Sequence, residues 1–266
     1  MQKAVEDYPH NIAKYGNISN WDVSHIKNMD SIFYNSGLNE DISLWDVSNV
    51  TIMKCMFDNS KFNGDISKWN VDKVIDMECM FSECCFNGDI SKWNVSNVIN
   101  MEGIFCGNKV FNGDISQWNV INVTNMRSIF CYSIFNGDIS EWNVSSVENM
   151  YSIFENSKFN GDISKWNVGK VKNMEGAFIE SSFNGNISRW NVQNVEYMQC
   201  MFDNSIFNGD ISDWNISSVK NMRFMFSNSL FNGDLSKWNV NNVYNMDYMF
   251  SGNKVFTGNV GNIKMV

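Results

Sequence analysis

The sequence predicts a repeat solenoid of the α/β kind: about ten 24-residue coils, with a parallel β-sheet along one face and short helices along the other. Three observations predict it. Ten tryptophans recur at a near-constant step, two further apolar columns recur in register with them, and the 266 residues hold a single proline, Pro9. A globular chain of this length carries roughly a dozen prolines. The 20 Phe and 17 Met supply ample apolar mass for a core.

The register is set by Trp21, Trp45, Trp69, Trp93, Trp118, Trp142, Trp166, Trp190, Trp214 and Trp238. Every step is the same length except that from Trp93 to Trp118, which is one residue longer, and the extra residue falls in Gly107-Asn108-Lys109-Val110. The same four residues recur as Gly252-Asn253-Lys254-Val255, where an eleventh unit begins. Met always stands eight residues after the Trp and Phe twelve after, as in Met77 and Phe81, Met101 and Phe105, and Met150 and Phe154. A column fixed in every copy is a packing requirement of the unit. Trp69, Met77, Phe81, Trp93, Met101, Phe105, Trp142, Met150 and Phe154 are therefore expected in the core. One unit cannot bury its apolar positions alone, so neighbours must stack.

Within a unit, spacing predicts the elements in order. Ile66, Trp69, Val71 and Val74 follow the L-x-x-L-x-L pattern of leucine-rich repeats. A strand is expected over residues 68–71, with Trp69 and Val71 pointing inward and Lys68 and Asn70 outward. Val74, Met77, Met80 and Phe81 then sit at steps of three and four, the signature of one helical face. The residue before the Met is Asn or Asp in eight of the ten copies, for instance Asp76 and Asn100, which suits a helix N-cap. Asn-Gly pairs such as Asn63-Gly64 and Asn87-Gly88 are expected to supply the positive φ of a tight turn. Residues 1–15 break the pattern and read as an N-terminal cap, residues 16–256 as the repeat array, and residues 257–266 as an incomplete last repeat that caps it poorly. An exposed end coil is a place for self-association.

These residues resemble the BspA-like leucine-rich-repeat surface protein family. Its repeat, found in mycoplasma-type lipoproteins and in large DNA viruses of protists, reads close to F-N-x-D-I-S-x-W-N/D-V/T-S-N-V-T-x-M-x-x-M-F. The resemblance spans about residues 16–260. It implies a surface, adhesion or interaction role and assigns no catalytic residue to the repeat.

Composition narrows the function classes. A net charge of −9 argues against a general nucleic-acid binder, which needs a basic footprint. The seven Cys are odd in number, form no CxxC pair and read as free thiols. Cys55 and Cys79 share one column and Cys106 and Cys131 another, within reach of a disulfide in stacked coils. Cys79, Cys84 and Cys85 read as small buried thiols rather than a metal site. Only His10 and His25 are present, and no nucleophile–base constellation, dinucleotide fingerprint or phosphate loop is found. No catalytic residue, cofactor or metal is expected. No leader or lipid-attachment Cys precedes the repeats, so a cytoplasmic or virion-associated setting is expected, or the cell surface if a leader has been removed.

The Asn column after each Trp, Asn70 to Asn239, reads as an amide ladder along the sheet. The Asp column of the Asn-Gly-Asp turns, Asp65 to Asp234, reads as turn-capping carboxylates rather than Ca²⁺ ligands. Function is left to the variable outward columns. The one before the Trp carries Lys68, Lys92, Gln117, Glu141, Lys165, Arg189, Asp213 and Lys237. The one three after it runs through Ser24, Ser48, Asp72, Ser96, Ile121, Ser145, Gly169, Gln193, Ser217 and Asn241. The expected function is a non-catalytic scaffold that binds an unknown protein partner along this face. The alternative is a structural component of a virus particle or cell surface that assembles through its end coil. Neither nucleic-acid binding nor membrane insertion is expected.

Overall fold

A computed structural model describes residues 2–8 and 12–261. His10 and residues 262–266 of the expected C-terminal cap lie outside them. Two short helices open the chain, α1 (Gln2–Asp7) and α2 (Ile12–Tyr15), followed by a 3₁₀ turn at Ile18–Asn20. From there each repeat unit makes one coil and stacks on the next.

The expected sheet and helices are not what the coils are made of. Residues 66–69 close one tight turn, Trp69 N–H to the Ile66 carbonyl at 3.1 Å. Residues 71–74 close a second, Val74 N–H to Val71 at 2.9 Å. Two turns in succession place Trp69 and Val71 inside and Lys68 and Asn70 outside, the same alternation a strand gives. The alternation was therefore not specific for a strand. Parallel pairing is reduced to isolated bridges one residue before each Met, from Asn28–Ile52 through Asp76–Asn100 to Asn221–Asn245.

The segment after each Met is not a helix either. An α-helix needs negative φ throughout and N–H bonds to the fourth residue back. Here φ is positive two and six residues after every Met, between 48° and 70°, as at Cys55 and Asn59. Alternate N–H groups leave the coil: Met53, Cys55, Phe57 and Asn59 donate to Asp76, Glu78, Met80 and Ser82 of the next coil at 2.7–3.0 Å. The N–H groups between them, on Met56, Asp58 and Ser60, donate three residues back at 3.2 Å. These four rungs recur between every successive pair of coils. The arrangement still returns Met53, Met56 and Phe57 to one buried side, so it reproduces the helical three- and four-residue spacing. A non-glycine residue in the left-handed region costs about 1–2 kcal/mol. Each rung returns about 0.5–1.5 kcal/mol, so the strained residues persist only because the coils are stacked.

The Asn-Gly glycines also differ from expectation. Gly64 and its equivalents are not left-handed. A Cβ at Gly64 would lie 2.8 Å from the Phe62 ring, so glycine is needed there for clearance. The preceding Asn supplies the amide ladder expected elsewhere: Asn63 N–H donates to Asn39 Oδ1 at 2.7 Å, and Asn87 N–H to Asn63 Oδ1 at 2.8 Å.

Trp69, Met77, Phe81, Trp93, Met101, Phe105, Trp142, Met150 and Phe154 are all buried. Phe81 stacks on Phe105 at 5.8 Å and on Phe86 at 4.3 Å, so two phenylalanine columns run side by side along the array. From Trp45 onward each indole N–H donates to a carbonyl of the preceding coil, as Trp142 does to Ile115 at 3.0 Å, while Trp21 donates to Tyr15 of α2 at 2.9 Å. The one longer unit is accommodated by Asn108. It is fully buried, its amide donates to the Phe81 and Phe86 carbonyls at 3.3 and 3.1 Å, and its carbonyl accepts from Val110 and Phe111 at 2.9 and 2.8 Å.

Candidate partner face

The turn at residues 66–69 and its equivalents place one variable side chain per coil at the surface. Lys68, Lys92, Gln117, Glu141, Lys165, Arg189, Asp213 and Lys237 are all exposed and stand in one row. Charge along the row is partly paired within it: Lys165 meets Glu141 at 2.5 Å and Lys237 meets Asp213 at 2.6 Å. Among the described residues, Lys68, Lys92 and Arg189 form no ion pair. Exposed pairs of this kind contribute about 0–1 kcal/mol, so the row can exchange them for a partner's charges at little cost.

Beside this row runs a row of carboxylates. Asp65 Oδ1 accepts the N–H of Ser67 at 2.9 Å, and Asp89, Asp114, Asp138, Asp162, Asp210 and Asp234 do the same with the serine two residues on. Those hydrogen bonds, from the serine N–H and then its hydroxyl, hold the carboxyls below the usual range. The turn-capping role is therefore seen directly, and Asn186 fills it equally well toward Ser188 at 3.0 Å. Lys165 is held above its usual range first by Glu141, with Asp162 and Asp138 contributing less. The face is a mixed surface with an acidic border, not a basic stripe.

The Asn column after each Trp is not an amide ladder. Asn70 Oδ1 accepts the N–H of Asp72 at 3.0 Å, and its equivalents from Asp22 to Asn239 also bond two residues on. These bonds fix the second variable column, so Asp72, Ile121, Gln193 and Asn241 are exposed while Ser24, Ser48, Ser96, Ser145, Gly169 and Ser217 are half-buried.

A second charged row was not anticipated. Two residues before the Met, Glu148 pairs with Lys172 at 2.7 Å and Glu196 with Lys220. The signal was present as opposite charges one full repeat apart. In the same column Ile75 and Ile99 are exposed instead, so the row changes from apolar to ionic along the array.

All seven cysteines are free. Cys55, Cys79 and Cys200 occupy the left-handed column two residues after the Met, which takes Ser or Gly in five other coils and an aromatic residue at Phe224 and Tyr248. Cys84 stands where other coils place the serine whose hydroxyl accepts a phenylalanine N–H, and its sulfur accepts from Phe86 at 3.4 Å. Burial pushes the Cys79 and Cys84 thiols up to about 12 and Cys200 to about 11. A hydrogen bond to Cys106, reinforced by burial, pushes the Cys131 thiol up. Thiols held protonated in this way are poor metal ligands. Cys85 is exposed. Among the described residues, no group of three or more His, Cys, Asp or Glu is arranged to hold a metal ion. His25 is exposed and lines a cleft together with Trp21. No helix of the described residues is long and apolar enough to cross a membrane.

No curated protein and no solved structure matches the chain. Three tandem stretches, residues 1–88, 85–181 and 155–263, match the family described as Mycoplasma protein of unknown function, DUF285. With nearly its whole length covered, the chain belongs to this repeat family.

Proposed function

We propose that the chain is a non-catalytic scaffold that binds a protein partner along the row from Lys68 to Lys237. One observation carries this reading. The coils are near-identical wherever a side chain is buried or caps a turn, and they differ where a side chain stands exposed on this row. Identity is used for stacking, and difference is available for recognition. The finer resemblance to BspA-like surface proteins supports the same class of role. A setting in the cytoplasm or on a virus particle, or on a cell surface, fits it equally.

The test is capture from a lysate of the native host with the intact protein and with K68E/K92E/K165E. The reading expects one partner retained by the native chain and lost at least tenfold with the charge-reversed chain. Equal retention by both chains sinks it. A second reading, a structural component that assembles through its end coil, is supported by N–H groups of the last coil that have no backbone acceptor among the described residues.

A further inference from the structure

Both ends of the array carry an unfinished ladder. The N–H groups of Met246, Tyr248, Phe250 and Gly252 hold the places that donate to a following coil everywhere else. Among the described residues they have no backbone acceptor. At the other end, the carbonyls of Asn28, Asp30, Ile32 and Tyr34 hold the accepting places and have no backbone donor there. The two sets share one spacing because they come from one repeated unit. Every rung runs from N–H to carbonyl in the same direction along the array. Two tails would meet donor to donor and two heads acceptor to acceptor, so only a head-to-tail meeting completes the ladder.

Apolar surface points the same way. Val240, Val243, Met246 and Phe250 are only partly buried, although their columns are closed in the coils between the ends. The head is covered by a small element. Val5 of α1 and the adjacent Tyr8 are buried against the first coil, and Tyr8 meets the Trp21 ring edge-on at 5.8 Å. A cleft of ≈ 480 Å³ lined by Val5, Glu6, Ile32 and Tyr34 is left between α1 and that coil.

We propose that the last coil docks the first coil of a second copy, head to tail, and that α1 gates this contact. This rests on the second reading above and adds its direction and its gate. The contact is heterologous and open-ended, so release of α1 yields linear growth. The tail segment Gly258-Asn259-Val260-Gly261 is held by the Leu235 N–H bonding Asn259 O at 2.7 Å. An incoming Gly16-Asn17-Ile18-Ser19 occupies the same place in the repeat, so the resident segment yields to it, as in a swapped oligomer.

The test is sedimentation velocity over a concentration series on the full chain, on V5D/Y8D, and on V5D/Y8D/F250K. The native chain is expected to stay near one mass. V5D/Y8D is expected to at least roughly double its average mass over a tenfold rise in concentration, and F250K to abolish that growth. The junction also has a chemical signature. Tyr34 and Ser251 are the first and last members of the column in which Cys106 and Cys131 stand on adjacent coils, beside the rung from Gly107 N–H to the Cys131 carbonyl at 2.7 Å. Y34C/S251C is expected to give oxidised intermolecular dimers, faster with V5D/Y8D than with the native α1. This pair needs no loosened cap, so it decides the matter even where V5D/Y8D fails to fold. Growth without the Y34C/S251C link overturns the head-to-tail geometry and leaves assembly standing. Growth that survives F250K moves the contact away from the last coil and overturns the proposal. A folded V5D/Y8D that stays at one mass, or neither growth nor link in any background, overturns both.

Discussion

Replacing one tryptophan in the middle of the array should cost far more than replacing one at its start. Trp142 is buried, its ring lies 6.5 Å from Trp118 and 6.1 Å from Phe130, and its indole N–H satisfies the Ile115 carbonyl at 3.0 Å. W142A opens a cavity worth about 3–5 kcal/mol and removes one of the two hydrogen bonds that carbonyl accepts, the other coming from the Trp118 N–H at 3.1 Å, a further ~1 kcal/mol. The expected loss is about 4–6 kcal/mol. W142F keeps a ring in the stack and removes only the N–H and part of the area, so about 1–3 kcal/mol is expected. Trp21 is half-buried at the head with no earlier full coil beneath it, and W21A should cost about 1–2 kcal/mol. The assay is urea unfolding of each variant followed by far-UV circular dichroism. Repeat arrays lose cooperativity under strain, so W142A is also expected to split the transition into two. Equal losses for W142A and W21A would show that the coils are not coupled through these columns. A W142F chain as stable as the native one would remove the indole bond from the account.

Other expectations follow from the same geometry. In the Asn-Gly turns, Gly137→Ala should cost about 1–3 kcal/mol because its Cβ falls 2.8 Å from the Phe135 ring. The F135L background should relieve much of that loss, and a double-mutant cycle reads the coupling. Asn108→Leu should cost about 3 kcal/mol or more, since it removes four hydrogen bonds at once, three of them buried; unchanged thermal melting would contradict it. The row from Asp65 to Asp234 has carboxyls held low in the folded chain, so its stabilisation is complete above the ordinary carboxylate range and is lost as pH falls through the folded values. An acid melt should therefore be shallower in D89N/D114N/D138N, whose amides keep the turn bond that Asn186 already makes. At the left-handed positions, Ser128→Val should cost about 2 kcal/mol or more, while Ser128→Gly is tolerated, as Gly103 and Gly176 are in the same column.

Much of this structure was legible in the sequence, but at one level only. Which residues are buried and how coils repeat follow from columns, and Trp, Met and Phe columns have no other use. The elements did not follow. Two tight turns at residues 66–69 and 71–74 share the inward and outward order of a strand, and the rung ladder after Met77 shares the spacing of a helix. Periodicity reports which way side chains face, and more than one backbone path produces the same facing. A discriminating signal was available in the column two residues after the Met. It reads Ser31, Cys55, Cys79, Gly103, Ser128, Ser152, Gly176 and Cys200 before it becomes aromatic. Small residues with a recurrent glycine, inside a stretch otherwise rich in Met, Ile and Phe, mark a left-handed position.

The partner row was legible for a different reason. Exposure follows from the column that precedes an inward Trp, whether a strand or a turn carries it, so the error in backbone path did not propagate to the row. Charge did change meaning once neighbours were placed. The row holds five basic residues on an acidic chain, yet Lys165 and Lys237 are matched by Glu141 and Asp213 one coil away, and an acidic row borders them all. Stacking turns a separation of one full repeat into direct contact. Charge on such a chain has to be read down columns, because the neighbours along the sequence point elsewhere. Read that way, Lys68 and Lys92 form the longest run of like charge on the row with no compensating acid in it. A partner that uses this face should have its affinity set there more than at Lys165 or Lys237. K68E/K92E alone is then expected to weaken capture about as much as the triple variant, and equal weakening by K165E/K237E would show that the pairing does not matter.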